Sequence, residues 1–406
     1  MNIIQFNLKQ IKSNPLSSAL NIILFATGVT IISLVFSLKD SFEKQIDKNA
    51  AGIDLVVGAK GSPLQLILSG IYHVDYPTGN IDYDEAMELC KNPLIKQAVP
   101  LALGDNYDGF RIVGSDRKYP EIYKAELQEG SLWQEDFEVT IGAKVASRAN
   151  LRIGSQFAGV HGLAGESGHV HKDTPYTVKG IFKETGTVLD QLILTNVGSV
   201  WRIHEHHHGH EADHDHGHEE QEVETEAHRE ITSLLIQYRN PMGAITLPWL
   251  INKSTHMQAA SPVQEINRLY SLLGVGIQVL TYISGLIIII SALSIFISLL
   301  NSLKERKYEL ALIRVMGGSR FRLFSILMLE GISFAIIGYV VGFIVSRIAI
   351  LLLSSYANDN FNYTLPDRIT SADWTLLAMS IAIGIIAAVI PAVKAMHTDI
   401  SKTLSR

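Results

Sequence analysis

Four long stretches of the chain contain almost no charged residues. In chain order they lie between Lys12 and Lys39, between Arg268 and Lys304, from Leu323 to Ser355, and from Trp374 to Val393. A membrane-spanning helix needs about 20 apolar residues to cross roughly 30 Å of hydrocarbon, and each stretch is long enough. The pattern therefore predicts four transmembrane helices, over residues 16–38, 270–303, 323–355 and 374–393.

The first apolar stretch has a second interpretation, as a cleaved signal peptide. Its apolar core is longer than that of a typical signal peptide, and no small-residue cleavage site follows it. Instead, Lys39, Asp40 and Ser41 lead into a polar stretch with a helical pattern. We therefore interpret residues 16–38 as a retained helix.

Residues 39–269, between the first two predicted helices, mix strand and helix patterns. "IDYDEAMELCKNPLIKQAVPLAL" predicts a helix capped by Asp82 or Asp84 and followed by a strand. "FEVTIGAKVASRANLRIGSQF" alternates strand and turn signals, and "YTVKGIFKETGTVLDQLILTNV" predicts two strands about a glycine-bearing turn. The region is predicted to be an α+β domain without an internal disulfide, since Cys90 is the only cysteine of the chain.

The distribution of lysine and arginine predicts the orientation in the membrane. Six basic residues lie within 304–322, whereas the loop 356–373 has only Arg368 beside three aspartates. Under the positive-inside rule, the basic segments face the cytoplasm. The segments expected in the cytoplasm are 1–15, 304–322 and 394–406, and those expected outside are 39–269 and 356–373.

The cytoplasmic segment "SLKERKYELALIRVMGGSRFRLF" predicts a short amphipathic helix that ends at Gly317 and Gly318. Its apolar positions recur at helical spacing and form one stripe, made by Tyr308, Ala311, Leu312 and Val315. One interpretation is a helix that lies on the lipid head groups. The other is a helix that docks a cytoplasmic partner.

This segment and the helix after it resemble a known family. "ERKYELALIRVMGGSRFRLFSILMLEGISFAIIGYVVG" resembles the signature of FtsX-like, MacB-type ABC transporter permeases (type VII ABC, the mechanotransmission family). "IPAVKAMHTDISKTL" resembles the family's C-terminal ending, with Ile400 where proline is usual. "EGSLW", "TIGAKVASRANLRIGS" and "YTVKGIFKETGTVLDQLIL" resemble its periplasmic core domain, and "DLVVGAKGSPLQLILSGIYHVDYPTGN" resembles the mark of one subgroup. The resemblance covers nearly the whole chain.

The resemblance implies four transmembrane helices in a 1+3 arrangement, with the α+β periplasmic core domain between the first and second. It implies a permease homodimer in the bacterial inner membrane that works with two copies of a separate, ATP-binding ABC ATPase. The coupling helix within 304–322 would receive the motion of that ATPase. The residues implied at the ATPase contact are Glu305, Arg306, Glu309, Arg314, Gly317 and Arg320.

The chain itself lacks the phosphate-binding motif G-x-x-x-x-G-K-[ST], and "GAKGSP" at 58–63 has the wrong spacing. We therefore expect a non-catalytic membrane subunit, with no intrinsic cofactor and no nucleic-acid partner. Glu330 and Arg347 are the charged residues inside the third apolar stretch. They either mark a functional site or snorkel to the nearest membrane interface, and such sparse charges disfavour a metal channel acting alone.

Residues 202–230 are predicted to form a loop with an unusual concentration of histidine. The histidines within 204–218 are His204, His206, His207, His208, His210, His214, His216 and His218. Imidazole and carboxylate groups are good ligands for Zn(II) and similar transition metals. Because the ligands are redundant and separated by glycines, we expect exchangeable binding suited to sensing, buffering or transfer rather than catalysis. The alternative is a solvated low-complexity loop without a dedicated role.

A second group of histidines, His161, His169 and His171, could form a more ordered site. His169 and His171 are two residues apart, so both could point the same way from an extended strand. The alternative is a polar loop whose histidines bond to the backbone.

Three functions are consistent with the sequence. The first is the membrane subunit of an ATP-driven complex that performs work or export in the cell envelope, linked to zinc or another transition metal. The second is a lipoprotein-releasing or macrolide-exporter-like permease in which the histidine loop is incidental. The third is a signalling subunit that controls an exported enzyme. Each of these allows a periplasmic or lipoprotein partner.

Overall fold

The computed structural model describes the backbone of residues 15–162, 174–208, 229–306, 308, 312, 314–361 and 371–397, with all of their side chains except those of 161, 204–208 and 358–361. The chain divides into two compact units. We call residues 1–43 and 272–406 the helical unit, and Lys44–Ser271 the sheet domain.

Ten α-helices are named here, all within the described residues. They are α1 (Pro15–Ala50), α2 (Pro63–Gly70), α3 (Tyr83–Leu89), α4 (Lys118–Ile122), α5 (Ala143–Arg148), α6 (Val197–His208), α7 (Met242–Ser254), α8 (Pro262–Glu305), α9 (Arg320–Phe361) and α10 (Ser371–Met396). Four of them, α1, α8, α9 and α10, are long and apolar enough to cross a membrane. Each of the four predicted transmembrane segments lies within one of these helices.

Two of the long helices extend well beyond the predicted apolar segments. α1 continues to Ala50, and α8 begins at Pro262, so polar residues at the edges of the predicted α+β domain are helical. In α1 the continuation contains an ion pair at helical spacing between Lys39 and Glu43 (3.6 Å) and no glycine or proline. Nothing in this stretch of sequence therefore ends the helix where its apolar part ends.

The helical unit is packed through small residues. An added Cβ at Gly342 of α9 would lie 2.6 Å from the carbonyl oxygen of Ala26 in α1, and one at Gly331 would lie 3.0 Å from the carbonyl oxygen of Gly384 in α10. Such close backbone approach is typical of helix packing in membranes, where burial of apolar surface from water does not drive association. The interior of the unit is formed by Phe25, Val29, Ile295, Leu299, Leu323, Leu327, Phe334 and Ala388.

The strands of the sheet domain are β1 (Leu55–Ala59), β2 (Ile81–Asp82), β3 (Ile95–Tyr107), β4 (Phe110–Ser115), β5 (Leu127–Gly130), β6 (Glu138–Ile141), β7 (Gln156–Phe157), β8 (Val160–His161), β9 (Tyr176–Phe182), β10 (Leu192–Thr195), β11 (Glu230–Ile231), β12 (Ser233–Tyr238) and β13 (Met257–Ala260). Among the described residues, eleven of them form one sheet, in the order β13-β1-β12-β3-β4-β10-β6-β9-β5 with β7 on β9 and β8 on β3. The pairs β4–β10 and β6–β9 are parallel.

Both faces of this sheet are covered. Successive strand residues point to opposite faces, so Leu55 and Val57 lie in one buried cluster whereas Val56 lies in another. Helices α3 and α7 supply part of the first cluster, with Ala86 and Leu247, and α2 supplies part of the second. The α+β fold class predicted from the sequence is confirmed.

The predicted helix at Asp82 is α3. The Asp82 carboxylate accepts a hydrogen bond from the backbone N–H of Glu85 at 2.7 Å, as an N-cap should. The strand that was predicted to follow is β3.

The two strands predicted about a glycine-bearing turn are β9 and β10, but they are not neighbours, because β6 lies between them and a 3-10 helix (Val188–Gln191) precedes β10. Helix α5 lies where strand and turn signals alternate, since "AKVASR" contains good helix formers and follows directly on Gly142.

The predicted loop 202–230 is wrong at its start. Residues 202–208 are the last turns of α6, which begins at Val197. Val200 and Ile203 are buried, and this apolar face keeps the chain helical into the histidine-rich sequence.

Candidate coupling, metal and membrane-interior sites

The residues predicted to contact an ATPase lie at the junction between α8 and α9. Glu305 ends α8, Arg306 follows it, and Arg320 begins α9. Arg314 lies in a helical turn whose end is marked by Gly317, in the left-handed conformation with φ +93°. Glu309 lies outside the described residues.

At this junction one helical turn ends and the next helix is capped at the residues that the sequence predicts. The backbone N–H of Gly317 bonds to the carbonyl of Arg314 at 3.0 Å, which closes the turn. The hydroxyl of Ser319 accepts a hydrogen bond from the backbone N–H of Arg322 at 3.2 Å and caps α9. The apolar side chains of Tyr308, Leu312 and Val315 are 61%, 45% and 61% exposed in the single chain.

The residues predicted to bind metal have no described side chains. His204, His206, His207 and His208 lie in the last turns of α6, and His161 lies in β8 opposite Asp105. The others, His169, His171, His210, His214, His216 and His218, lie outside the described residues. Within the part of the chain that the structure describes, no group of three or more His, Cys, Asp or Glu side chains could hold a metal ion. Both metal sites therefore stay predictions.

The base of the histidine-rich segment is closed by contacts between its two ends. Trp201 of α6 donates a hydrogen bond from Nε1 to the carbonyl of Glu230 at 2.6 Å. The Arg229 guanidinium lies 5.6 Å from the centre of the Trp201 ring, and the Tyr83 ring meets that ring edge-on at 5.0 Å. The helix that precedes the histidine-rich segment is thus in contact, at Trp201, with the residues that follow the segment.

His73 is the one buried histidine among the described side chains. Its Nε2 lies 2.9 Å from the hydroxyl of Tyr119, and its backbone is left-handed, with φ +53°. Burial first, and the nearby positive charge of Arg111 second, lower the pKa of His73 to about 3. The imidazole is therefore neutral, and its Nε2 pairs with the Tyr119 hydroxyl in the interior of the sheet domain.

Arg347 of α9 does not snorkel. Its guanidinium lies 2.8 Å from the carboxylate of Asp373 at the start of α10, with side chains only 12% and 4% exposed. The hydroxyl of Ser33 in α1 donates to the same carboxylate at 3.2 Å, and Ser37 lies 3.4 Å from the guanidinium. The Tyr339 hydroxyl donates to the backbone carbonyl of Asp373 at 2.9 Å. Three helices of the helical unit therefore meet at one buried polar cluster.

Glu330 of α9 also fails to snorkel, since it is 4% exposed. It lines a cavity of about 390 Å³ between α1, α8 and α9, together with Ser18, Asn301 and Arg306. Nearby, the Ser294 hydroxyl donates to the side-chain oxygen of Asn21 at 2.6 Å. The interior of the helical unit is thus more polar than its charge count suggests.

A third polar arrangement, which we call the helix-1 joint, lies where α1 enters the sheet domain. The buried carboxylate of Asp190 accepts hydrogen bonds from the backbone N–H groups of Thr185 (2.8 Å) and Gly186 (2.6 Å) and thereby shapes the loop 185–190. Asn49, in the last turn of α1, accepts a hydrogen bond from the backbone N–H of Val188 at 3.1 Å. These contacts fasten the end of α1 to the loop before β10.

Lys48 adds an exposed contact to the helix-1 joint, since its Nζ donates to the Thr185 carbonyl at 2.8 Å. Sequence reasoning missed Asn49, Asp190 and Asp373. Two weak signals point to the aspartates: Asp373 stands at the start of an apolar helix, and Asp190 follows a Thr-Gly-Thr sequence by three residues. Neither signal identifies the interacting residue, because Arg347 is remote in sequence from Asp373 and Asn49 is remote from Val188.

Comparison with known proteins identifies the class. The model of the MacB-like periplasmic core domain matches residues 18–232, which is more than half of the chain, and the model of the FtsX-like permease C-terminal region matches residues 281–400. The chain is therefore a permease that is embedded in the inner membrane and carries a periplasmic domain. It belongs to the FtsX/MacB-type ABC transporter permeases, which are non-catalytic membrane subunits that work with a cytoplasmic ABC ATPase. The resemblance seen in the sequence is confirmed.

Two solved structures are similar in part. The periplasmic region of MacB from Actinobacillus actinomycetemcomitans is 14% identical, and the match covers 55% of this chain and 97% of that one, with a TM-score of 0.34. The extracellular domain of the noncanonic ABC-type transporter YknZ from Gram-positive bacteria is 13% identical, with 52% and 99% covered and a TM-score of 0.30. No curated protein matches the chain.

Proposed function

We propose that two copies of this chain and two copies of a separate ATPase form a complex that converts ATP hydrolysis into work or export outside the membrane. The observation that carries this proposal is the path of α1. It is one continuous helix from Pro15 to Ala50, and its end is fastened to the sheet domain by Asn49. A displacement of this helix in the membrane is thereby passed to the loop 185–190 and to the strand after it.

The cytoplasmic segment 304–322 is the proposed contact through which the motion of the ATPase enters the membrane helices. Tyr308, Leu312 and Val315 expose apolar side chains beside a basic cluster, and a helix with such a stripe needs a covering surface. We propose that an ATPase subunit covers it, with Glu305, Arg306, Glu309, Arg314, Gly317 and Arg320 at the contact. This requires both termini and the segment 304–322 to face the cytoplasm, which agrees with the distribution of basic residues.

The metal link forms the second part of the proposal. The segment 204–218 concentrates imidazole and carboxylate groups, and the helix before it and the strand after it are joined by the hydrogen bond from Trp201 to Glu230. We propose that it binds Zn(II) or a similar transition metal reversibly and that metal occupancy regulates the complex. A periplasmic or lipoprotein partner would receive the work.

Co-purification with the partner ABC ATPase tests the coupling proposal. Leu312→Asp places a charge in the exposed apolar stripe and should reduce the co-purified ATPase about tenfold, since it removes a central apolar contact. Val315→Ser is a milder variant that should reduce it less. Lys60→Glu, an exposed change in the sheet domain, is the matched control and should have no effect.

Equal recovery of the ATPase with all three variants would contradict the docking role and leave the interpretation of a helix lying on lipid. Size-exclusion profiles of the variants, measured in the same detergent, show that any loss of ATPase does not come from unfolding.

A further inference from the structure

The sheet domain contains a cleft that the proposed transmission does not use. Its volume is about 590 Å³, and it is bordered by α3, the start of β3, the end of β4 and the first turn of α6. We call it the β3 cleft. Its apolar walls include Tyr83 and Met87 of α3 and Trp133.

The β3 cleft runs along the edge of a strand rather than over its face. Four consecutive residues of β3, Ile95 to Ala98, line it. Only alternate residues of a strand point to one face, so four consecutive residues can border one space only along the hydrogen-bonding edge. The cleft therefore opens on the edge at which a neighbouring strand would pair.

The strand pairing explains why this edge is open. β12 pairs with β3 on one side over Ile95–Leu101, whereas β4 pairs on the other side only from Leu101, opposite Ser115. The Ser115 hydroxyl donates to the Pro100 carbonyl at 2.8 Å and marks the end of that pairing. Within the described residues, no strand pairs with the second edge of residues 95–99. The Ile95 carbonyl already accepts a hydrogen bond from the Arg239 guanidinium at 3.3 Å, and the rest of such an edge presents backbone N–H and C=O groups to an incoming chain.

The rim of the β3 cleft is strongly basic. Lys96, Arg117, Lys118 and Arg239 line it, and none of them forms an ion pair within the described part of the chain. The one acidic group on the lining is Asp116, whose carboxylate accepts a hydrogen bond from the backbone N–H of Lys118 at 2.9 Å. The clustering is notable because the whole chain carries a net charge of -6.

We propose that the β3 cleft binds an extended acidic peptide segment of a partner protein. The segment would add as a strand to the open edge of residues 95–99, and its carboxylates would contact Lys96, Arg117, Lys118 and Arg239. Strand addition explains the open edge, because main-chain hydrogen bonds supply affinity in this mode, and side-chain contacts supply specificity. The basic rim explains the selection of acidic side chains, since charge-assisted hydrogen bonds are stronger than neutral ones.

The β3 cleft would be the binding site of the proposed periplasmic partner, and it would select an acidic segment of that partner. This rests on the proposed function only because it requires a periplasmic partner to exist. Binding is measured here without any ATPase. If the peptide does not bind, the proposed ATPase contact is not contradicted. If the ATPase does not co-purify, the proposed peptide site in the cleft is not contradicted.

The test uses the full chain in lipid nanodiscs and a fluorescent peptide of alternating glutamate and valine, seven residues long, followed by anisotropy. Three competitors probe the mode of binding: the same peptide N-methylated at alternate amides, free glutamate, and inorganic phosphate. The variants are Lys96→Glu and Arg239→Glu, each exposed and on the cleft rim, and Lys60→Glu, exposed and away from the cleft.

We expect the peptide to bind, each rim variant to weaken binding about tenfold, and the Lys60→Glu control to leave binding unchanged. N-methylation keeps the charge but removes backbone donors, so the methylated peptide should compete at least about tenfold less well. Equal competition by the methylated peptide would overturn strand addition. Competition by glutamate or phosphate at the same concentration as the peptide would show a site for small anions and overturn the proposal, as would the absence of peptide binding.

Discussion

Inside an apolar bundle a charged side chain needs a partner, and Arg347 has one in Asp373. The pair is supported by the hydroxyls of Ser33 and Ser37 on α1 and by Tyr339 on α9. The sequence identified Arg347 as exceptional but could not identify Asp373, since the aspartate lies in a different helix. A buried ion pair does not by itself stabilise a protein, but the loss of one partner leaves an uncompensated charge.

We therefore predict that Asp373→Ala strongly destabilises the protein, by about 3–5 kcal/mol. The double variant Arg347→Met with Asp373→Leu removes both charges and should recover most of that loss. Thermal unfolding of the detergent-solubilised protein measures both. Ser37→Ala, which removes only a 3.4 Å contact to the guanidinium, is the control and should change the midpoint little. A double variant as unstable as Asp373→Ala would show that the pair is not coupled.

His73 gives a prediction about pH at the same scale. Its pKa is about 3 in the fold, against an ordinary value of 6.5, so between these values the unfolded chain binds a proton that the folded chain does not. Stability from this group is present above pH 6.5 and is lost as the pH falls toward 3, by about 1.4 kcal/mol for each pH unit. His73→Gln removes the titrating group and keeps a polar atom near Tyr119.

The stability of the His73→Gln variant should therefore fall less steeply than that of the wild type between pH 6.5 and pH 4. Urea unfolding followed by tryptophan fluorescence at several pH values measures the two slopes. Because all other histidines are unchanged, the difference between the slopes belongs to His73. Equal slopes would mean that the buried imidazole accepts a proton without loss of the fold.

At the scale of elements, the sequence predicts the helices, caps and turns that are determined by residues close together in the chain. The four apolar segments, the cap at Asp82 and the turn at Gly317 were all predicted correctly, because each follows from a local pattern. The placement of β6 between β9 and β10 was not, because strand order depends on contacts between distant parts of the chain. The same limit hid the helix-1 joint, in which Asn49 meets a loop about 140 residues later in the chain.

The helix-1 joint yields a prediction about how an element is held. Asn49→Ala leaves the buried N–H of Val188 without its acceptor, which should cost about 1–3 kcal/mol of the stability of the sheet domain. Lys48→Ala removes a solvent-exposed contact in the same turn of α1 and is the matched control, with an expected loss below about 0.5 kcal/mol. Chemical unfolding of both variants in detergent compares them.

Hydrogen exchange at the backbone of 185–190 gives a local measurement of the same effect. It should accelerate in Asn49→Ala and stay unchanged in Lys48→Ala, because Asn49 accepts a hydrogen bond from a backbone N–H of this loop whereas Lys48 donates to a carbonyl. Equal exchange in the two variants would mean that the loop is held by Asp190 alone.

At the scale of the whole molecule, the sequence correctly predicts a 1+3 set of membrane helices around a periplasmic α+β domain. The histidine-rich segment starts in the last turns of α6 and precedes β11, so it belongs to the sheet domain and is separate in sequence from the coupling segment. In the proposed complex, a metal bound there would act through the sheet domain or a partner. This arrangement favours sensing or transfer over a metal pathway through the membrane helices.

The last prediction separates a metal role from an incidental loop. Replacing residues 209–220 by a glycine-serine linker of equal length removes His210, His214, His216 and His218 while leaving α6 intact. We expect the variant in nanodiscs to bind fewer Zn(II) ions per chain and to unfold at the same temperature as the wild type without metal. The fold should persist because the contacts of Trp201 with Glu230 and Arg229 still close the base of the segment.

A second variant, with His161, His169 and His171 changed to glutamine, tests the smaller group separately. The sequence predicts the smaller group to be the more defined site, and preorganised ligands bind more tightly because less conformational entropy is lost on binding. The triple variant should therefore lose zinc that resists dilute chelator, whereas the linker variant should lose zinc that a chelator removes quickly. Zinc content unchanged in both variants would remove the metal link from the proposed function and favour a permease with an incidental histidine loop.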